Sequence, residues 1–134
     1  MRKTIIITGA NRGIGRASVK AFAERGYDIW ACARKPGETF ETDMSEESAR
    51  TGAAITPVYF DLLNEEEVRS GMKKILGEKR DVDVLLNCAG IPYGGLLTMT
   101  PLEKLREVYQ VNVFAQVQLM QLIARRMMRQ RKGC

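Results

Sequence analysis

Apolar and polar positions alternate along the chain in blocks that predict strand, helix, strand, helix, four times over. Thr4-Ile5-Ile6-Ile7-Thr8 is a short apolar run without alternation, as a strand buried on both faces requires. Ile14, Ala17, Ser18, Ala21 and Phe22 follow at helical spacing, with Arg16, Lys20 and Glu24 off that stripe. Gly26 suits the helix end. Ile29-Trp30-Ala31-Cys32-Ala33 reads as the second strand. Within the polar stretch that follows, Asp43-Met44-Ser45-Glu46 fits a capping box and predicts a short helix over 44–51. The third strand is Ile55-Thr56-Pro57-Val58-Tyr59-Phe60. Asn64 and Glu67 form a second capping box, opening a helix with Val68, Met72, Ile75 and Leu76 on its apolar face. Val82 to Asn87 is the fourth strand, followed by a loop rich in glycine (Gly90, Gly94, Gly95).

The last helix has Thr100 as its predicted cap, Pro101 in the first turn and Glu103 two residues on. Its stripe is Leu102, Leu105, Val108, Asn112, Ala115, Leu119 and Leu122, and the pattern continues to about Lys132. Leu119, Met120, Leu122, Ile123, Met127 and Met128 make it apolar over more than one face, which fits either a core or a subunit interface. Strands alternating with helices predict a parallel sheet with helices on both faces.

A chain of 134 residues, 45% hydrophobic, is one ordered domain spanning 1–134. No apolar run approaches the length of a membrane span, and the opening isoleucines are too few for a signal peptide, so a cytoplasmic location is expected. There is no histidine, which excludes Ser-His-Asp, Cys-His and His-metal chemistry. The net charge of +5 is local: Arg125, Arg126, Arg129, Arg131 and Lys132 lie at the end of one helix. Removing those five from 21 basic side chains leaves 16, equal to the 16 acidic ones. That distribution argues against nucleic acid as a partner. Cys32, Cys88 and Cys134 lack metal-binding spacing. With a strand between them, Cys32 and Cys88 stand roughly 9–10 Å apart, beyond disulfide reach.

The sharpest chemical feature is Thr8-Gly9-Ala10-Asn11-Arg12-Gly13-Ile14-Gly15, between the first strand and the first helix. Gly9 permits a tight turn, Gly13 a close approach of backbone to a pyrophosphate, and Gly15 close packing of helix and strand. The helix N-terminus then offers free N–H groups and partial positive charge to phosphates.

This T-G-x-x-x-G-x-G spacing resembles the short-chain dehydrogenase/reductase family. Three further places agree: Asp61-Leu62 after the third strand, Asn87-Cys88-Ala89-Gly90 in place of the family's N-N-A-G, and Val111-Asn112-Val113 in the last helix. The resemblance covers the whole chain but about the first half of a typical member, and is similar to the 3-oxoacyl-carrier-protein reductase branch. It implies a Rossmann-type doubly wound α/β sheet of strand order 3-2-1-4, truncated before strand 5. It implies nicotinamide-dinucleotide contacts at Thr8, Gly9, Asn11, Arg12, Gly13, Ile14, Gly15, Asp61, Leu62, Asn87, Ala89 and Gly90. It also implies a catalytic role for Asn112, which in the family holds a proton-relaying water; the alternative is a structural asparagine that kinks its helix. A homo-oligomer joined through the last helix is expected on the same basis.

Cofactor choice follows from charge. An NAD site places an acid after the second strand. Here Ala33 is followed by Arg34 and Lys35, and Arg12 lies in the glycine turn. Guanidinium groups suit a 2′-phosphate, so NADP is expected over NAD; solvated loop charges are the alternative. The catalytic remainder is absent: no Tyr-x-x-x-Lys occurs and no serine follows Ser70. The expected function is therefore the cofactor-binding half of an NADP-dependent carbonyl reductase, itself without turnover. A non-catalytic dinucleotide sensor is the alternative. Tyr93, Gly94 and Gly95 are candidate substrate-pocket residues.

Overall fold

The computed structural model describes residues 1–134. Four parallel strands, β1 (Thr4–Ile7), β2 (Asp28–Ala33), β3 (Ile55–Tyr59) and β4 (Val84–Leu86), form one sheet in the order β3-β2-β1-β4. The 3-2-1-4 order puts β1 between Cys32 and Cys88, and all three cysteines are free. Successive side chains of a strand point to opposite faces, so the apolar runs feed two cores. Ile5, Ile7, Ala31 and Ala33 pack with α1 (Gly13–Glu24) and α2 (Glu38–Thr51). Ile6, Trp30, Cys32 and Val58 pack with α3 (Glu65–Gly77) and with the last helical segment. That segment runs as α4 (Leu102–Tyr109), a π-helical turn (Gln110–Phe114) and α5 (Ala115–Gln130). The architecture is thus the doubly wound α/β sheet. No helix is long and apolar enough to cross a membrane.

Several local expectations are corrected. In α1 the buried positions are Gly15, Val19 and Ala23, not the stripe begun by Ile14, which is 79% exposed. Gly15 must lie against the preceding turn, and that contact fixes the rotation of the helix. The α2 helix begins at Glu38, six residues earlier than predicted, because Phe40 and Met44 together cover the sheet. Asp43 therefore lies mid-helix and pairs with Arg16 at 2.5 Å instead of capping. Asn64 does cap α3, accepting from the N–H groups of Glu66 and Glu67, while the Glu67 carboxylate accepts from Asp61 N–H.

In the last helix Pro101 occupies the cap position, and the Thr100 hydroxyl donates to Leu96 C=O, 2.9 Å. Leu102 and Leu105 are exposed. Val111, Ala115, Leu119 and Ile123 take the core seats, and Asn112 is exposed, off the buried face where it was expected.

The strand β4 is shorter than expected, and its outer edge is not wholly open. Cys134 donates to Asp83 C=O and accepts from Leu85 N–H, both 2.9 Å. The chain is brought there by the end of α5. Arg126 donates to the Leu76 and Arg80 carbonyls, and the Gln130 amide pairs both ways with the Val82 backbone at 2.9 Å.

At the opposite end of the sheet from the glycine turn, Asp28 accepts from Ala54 N–H and pairs with Arg80 at 2.6 Å. Burial alone would raise its pKa; the Ala54 N–H and the Arg80 guanidinium overcome this and hold it below the ordinary carboxylate value.

Candidate functional site

The glycine turn lies at the carboxyl end of β1. Gly9 and Gly13 adopt φ of +64° and +55°, the left-handed region that side-chain-bearing residues avoid. A Cβ on Gly9 would stand 2.9 Å from Ala89 Cα, so the loop after β4 rests directly on the turn. A Cβ on Gly15 would meet the Gly9 carbonyl, 2.6 Å from its carbon, and the Thr8 oxygen at 3.1 Å. Gly13 differs: nothing lies within 4 Å of its Cβ position, which faces open space. The α1 helix begins at Gly13 with no side-chain cap from Arg12, so its first-turn N–H groups have no donor-satisfying partner in the chain. Such a terminus attracts anions.

Around this turn the strand ends enclose a cleft of about 690 Å³, in the size range of small-molecule sites. One wall is Ala33, Arg34 and Lys35 at the end of β2; another is Phe60 to Leu63 after β3. Cys88 to Ile91 form the third wall, and Glu107 and Val111 reach in from the helix. A crevice outside the carboxyl ends of parallel strands is where doubly wound folds bind ligands. Arg12, Arg34 and Lys35 border it, and none of the three forms an ion pair. Three cations beside a free helix N-terminus give this end of the cleft a positive field of the kind that attracts anions. Cys32 lies at the back of the cleft, where burial pushes its thiol pKa up and keeps it protonated.

Of the sequence-derived candidates, Thr8, Gly9, Asn11, Arg12, Gly13, Ile14, Gly15, Arg34, Asp61, Leu62, Ala89 and Gly90 all line this cleft. The Thr8 side chain is committed elsewhere: its buried hydroxyl accepts from Cys88 and Ala89 N–H, 3.1 Å each, joining β1 to the loop after β4. Asp61 accepts from Leu63 N–H at 2.9 Å, which shapes the loop after β3. Asn87 is exposed and is not part of the lining, and Tyr93, Gly94 and Gly95 also lie outside it. Asn112 sits outside the cleft wall too. Its Oδ1 accepts from Ile91 N–H and its Nδ2 donates to Ile91 C=O, both 2.8 Å. The side chain thus holds the end of the third wall. Sequence reasoning missed Ile91, Glu107 and Val111; the last two lie one turn apart on the helix, and that spacing was the available clue.

Comparison with known proteins agrees with this geometry. Residues 3–134 match the short chain dehydrogenase family. Carbonyl reductase family member 4 of Xenopus tropicalis is 30% identical over 99% of this chain and 54% of its own length. A 3-oxoacyl-[acyl-carrier-protein] reductase of Chlamydia muridarum is 30% identical over 99% of this chain and 53% of its own. Among solved structures, the alcohol dehydrogenase of the archaeon Thermococcus sibiricus, complexed with 5-hydroxy-NADP, aligns with a TM-score of 0.90 at 29% identity, covering 98% of this chain and 56% of that one. The chain spans about half the length of the curated relatives it matches. With the matched residues extending over almost all of its sequence, and the sheet order and glycine turn in place, the chain belongs to the short-chain dehydrogenase family.

Proposed function

We propose that this chain is the cofactor-binding half of an NADP-dependent carbonyl reductase, in which hydride passes between a nicotinamide and a ketone or 3-oxoacyl group to give an alcohol. The observation that carries the reading is the cleft at the glycine turn. There, uncapped N–H groups of α1 meet three unpaired cations, Arg12, Arg34 and Lys35. The relatives named for carbonyl and 3-oxoacyl reduction, and the neighbour complexed with an NADP analogue, support it.

The residues present fit the group. Bare backbone at Gly13 leaves room for a diphosphate, and the helix terminus supplies its donors. Ala33 stands where an NAD-selective site would carry an acid, and Arg34 and Lys35, which follow it, suit a 2′-phosphate. Apolar Ile14, Leu62 and Val111 give the cleft dry surface for aromatic rings. When bound, NADPH supplies the hydride. The chain's own residues bind and orient it: the turn fixes the diphosphate, and Thr8 and Asn112 hold the loop after β4 against the turn. A proton donor for the carbonyl oxygen is not among them, because the sequence contains no Tyr-x-x-x-Lys. On this reading the 134-residue chain binds dinucleotide without turnover.

The same reading assigns self-association to the last helix, whose Leu105, Tyr109, Val113, Val117 and Met120 are exposed along its length. The deciding experiment titrates folded protein with NADP and NAD while following the amide resonances of Gly9 to Gly15. Shifts with NADP at lower concentration than with NAD are expected. No movement with either ligand refutes the reading, and ketone-dependent NADPH oxidation by the purified chain refutes the lack of turnover.

A further inference from the structure

The loop after β4 is held at five backbone groups between Cys88 and Ile91. Cys88 and Ala89 N–H donate to the Thr8 hydroxyl. The N–H and C=O of Ile91 are both taken by Asn112. The Ala89 carbonyl accepts from Gln116 Nε2 at 3.0 Å, and the same nitrogen donates to Val111 C=O at 3.1 Å. Among the four N–H groups from Cys88 to Ile91, the one without a partner in the chain is that of Gly90.

The direction of that N–H follows from covalent geometry. In a trans peptide the C=O and the following N–H point opposite ways, and the chain has no cis bond. With Ala89 C=O drawn toward Gln116 on α5, Gly90 N–H turns the other way, and Gly90 lines the cleft. Ala89 also rests on Gly9, so this peptide is placed beside the glycine turn.

Gln116 is a poor choice as core filling. It is 9% exposed, and its Oε1 is buried with no donor. An unpaired buried acceptor destabilises, and a leucine of similar size would occupy the place without one. What the glutamine adds is its pair of N–H bonds. One secures a carbonyl in the π turn, the other the carbonyl of Ala89. The amide orientation is fixed by chemistry, since the reverse would set an oxygen against two carbonyls.

We propose that Gln116 is a positioning residue that holds the Ala89–Gly90 peptide so that Gly90 N–H donates to an oxygen in the half of the bound dinucleotide that lies across β1 from Arg34, outside its 2′,5′-ADP part. The inference rests on the dinucleotide reading of the cleft, which already counts Gly90 among its contacts, and adds the residue that aims that donor.

The test uses the 134-residue chain, ¹⁵N-labelled, titrated with NADP and separately with 2′,5′-ADP. In the wild type, NADP is expected to shift Gly90 N–H and slow its exchange with solvent. Gln116→Leu, which keeps the volume and removes both bonds, should weaken NADP about five-fold and displace the free Gly90 resonance. Its affinity for 2′,5′-ADP, which the Arg34 side of the cleft would hold, should stay within about two-fold. Equal weakening of both ligands, or an unchanged NADP affinity, overturns the proposal. Should Gln116→Leu not fold, the wild-type titration decides: Gly90 N–H unmoved while Gly9 to Gly15 shift overturns it. If Gly9 to Gly15 do not shift either, the dinucleotide reading itself has failed.

Discussion

Gly15 and Gly13 lie two residues apart in the same turn, yet the structure separates their roles. Replacing Gly15 by alanine puts a methyl carbon 2.6 Å from the Gly9 carbonyl carbon and 3.1 Å from the Thr8 oxygen. Ordinary carbon contacts lie at about 3.5–4.0 Å, so the overlap is about 1 Å, and both obstacles are backbone. Neither side can rotate away, so the helix must lift from the turn. Overpacking costs about 1–3 kcal/mol, and this site belongs at the upper end, about 3 kcal/mol. For a domain of this size that corresponds to a fall in Tm of roughly 10 °C. Gly13→Ala meets nothing within 4 Å and is charged only for φ of +55°, about 1 kcal/mol or roughly 3–4 °C. Its methyl enters the open cleft instead, so dinucleotide affinity should fall at least about ten-fold while the protein stays folded. Thermal melts by circular dichroism, with NADP titrations of each variant, measure both quantities. Equal melting losses for the two variants, or a Gly15→Ala loss below about 1 kcal/mol, would refute the steric account.

The parts of the fold legible in the sequence are those whose causes are local. The glycine turn, the Asn64 cap and the four apolar strand runs each carry their reason within a few residues. What escaped depends on distant partners. Ile14 counts as apolar in any periodicity, but the wall of an open cleft can be apolar too, and hydrophobicity does not distinguish a core from such a wall. The start of α2 is set by Phe40 meeting the sheet and Tyr59, a contact with a strand fifteen residues further on, and the weaker capping pattern at Asp43 yields to it. In the last helix a search with a fixed 3.6-residue period passes over the π turn. It placed Asn112 in the core, whereas Ile91 holds that amide with two hydrogen bonds at the rim. The residues that line the cleft were legible where they fall within one short turn, as Gly9, Asn11, Arg12, Gly13, Ile14 and Gly15 do. Hydrogen bonds to a loop, such as those of Thr8 and Gln116, were not legible, because the loop's position is a property of the folded chain.

Three further outcomes follow from named contacts. Thr8→Val leaves the Cys88 and Ala89 N–H groups without an acceptor and should cost about 2–4 kcal/mol in urea unfolding, with faster amide exchange at both residues. Thr8→Ser should cost under about 1 kcal/mol, and equal losses would remove the hydroxyl from the explanation. The carboxyl of Asp28 is held below its ordinary 3.8, so its stabilisation is complete above that pH and is lost as pH falls through the lower folded value. The stability gap between wild type and Asp28→Asn should therefore shrink below about pH 4; a gap as wide at pH 3 as at pH 7 counts against the Arg80 and Ala54 contacts as its source. Arg34 gives the test of cofactor choice. It is exposed and has no carboxylate to release, so its full charge is available to a 2′-phosphate, but solvent weakens the pair. Arg34→Ala should lower the preference for NADPH over NADH about ten-fold, the low end for a hydrogen bond to a charged group. Arg34→Lys should restore part of it, keeping the charge but losing the two-pronged geometry. Because the pair is exposed, the wild-type preference should also decline between low and high salt, and more steeply than in Arg34→Ala. An unchanged nucleotide ratio in both variants, with binding intact, would mean that the charges beside Ala33 are solvated and do not select the cofactor.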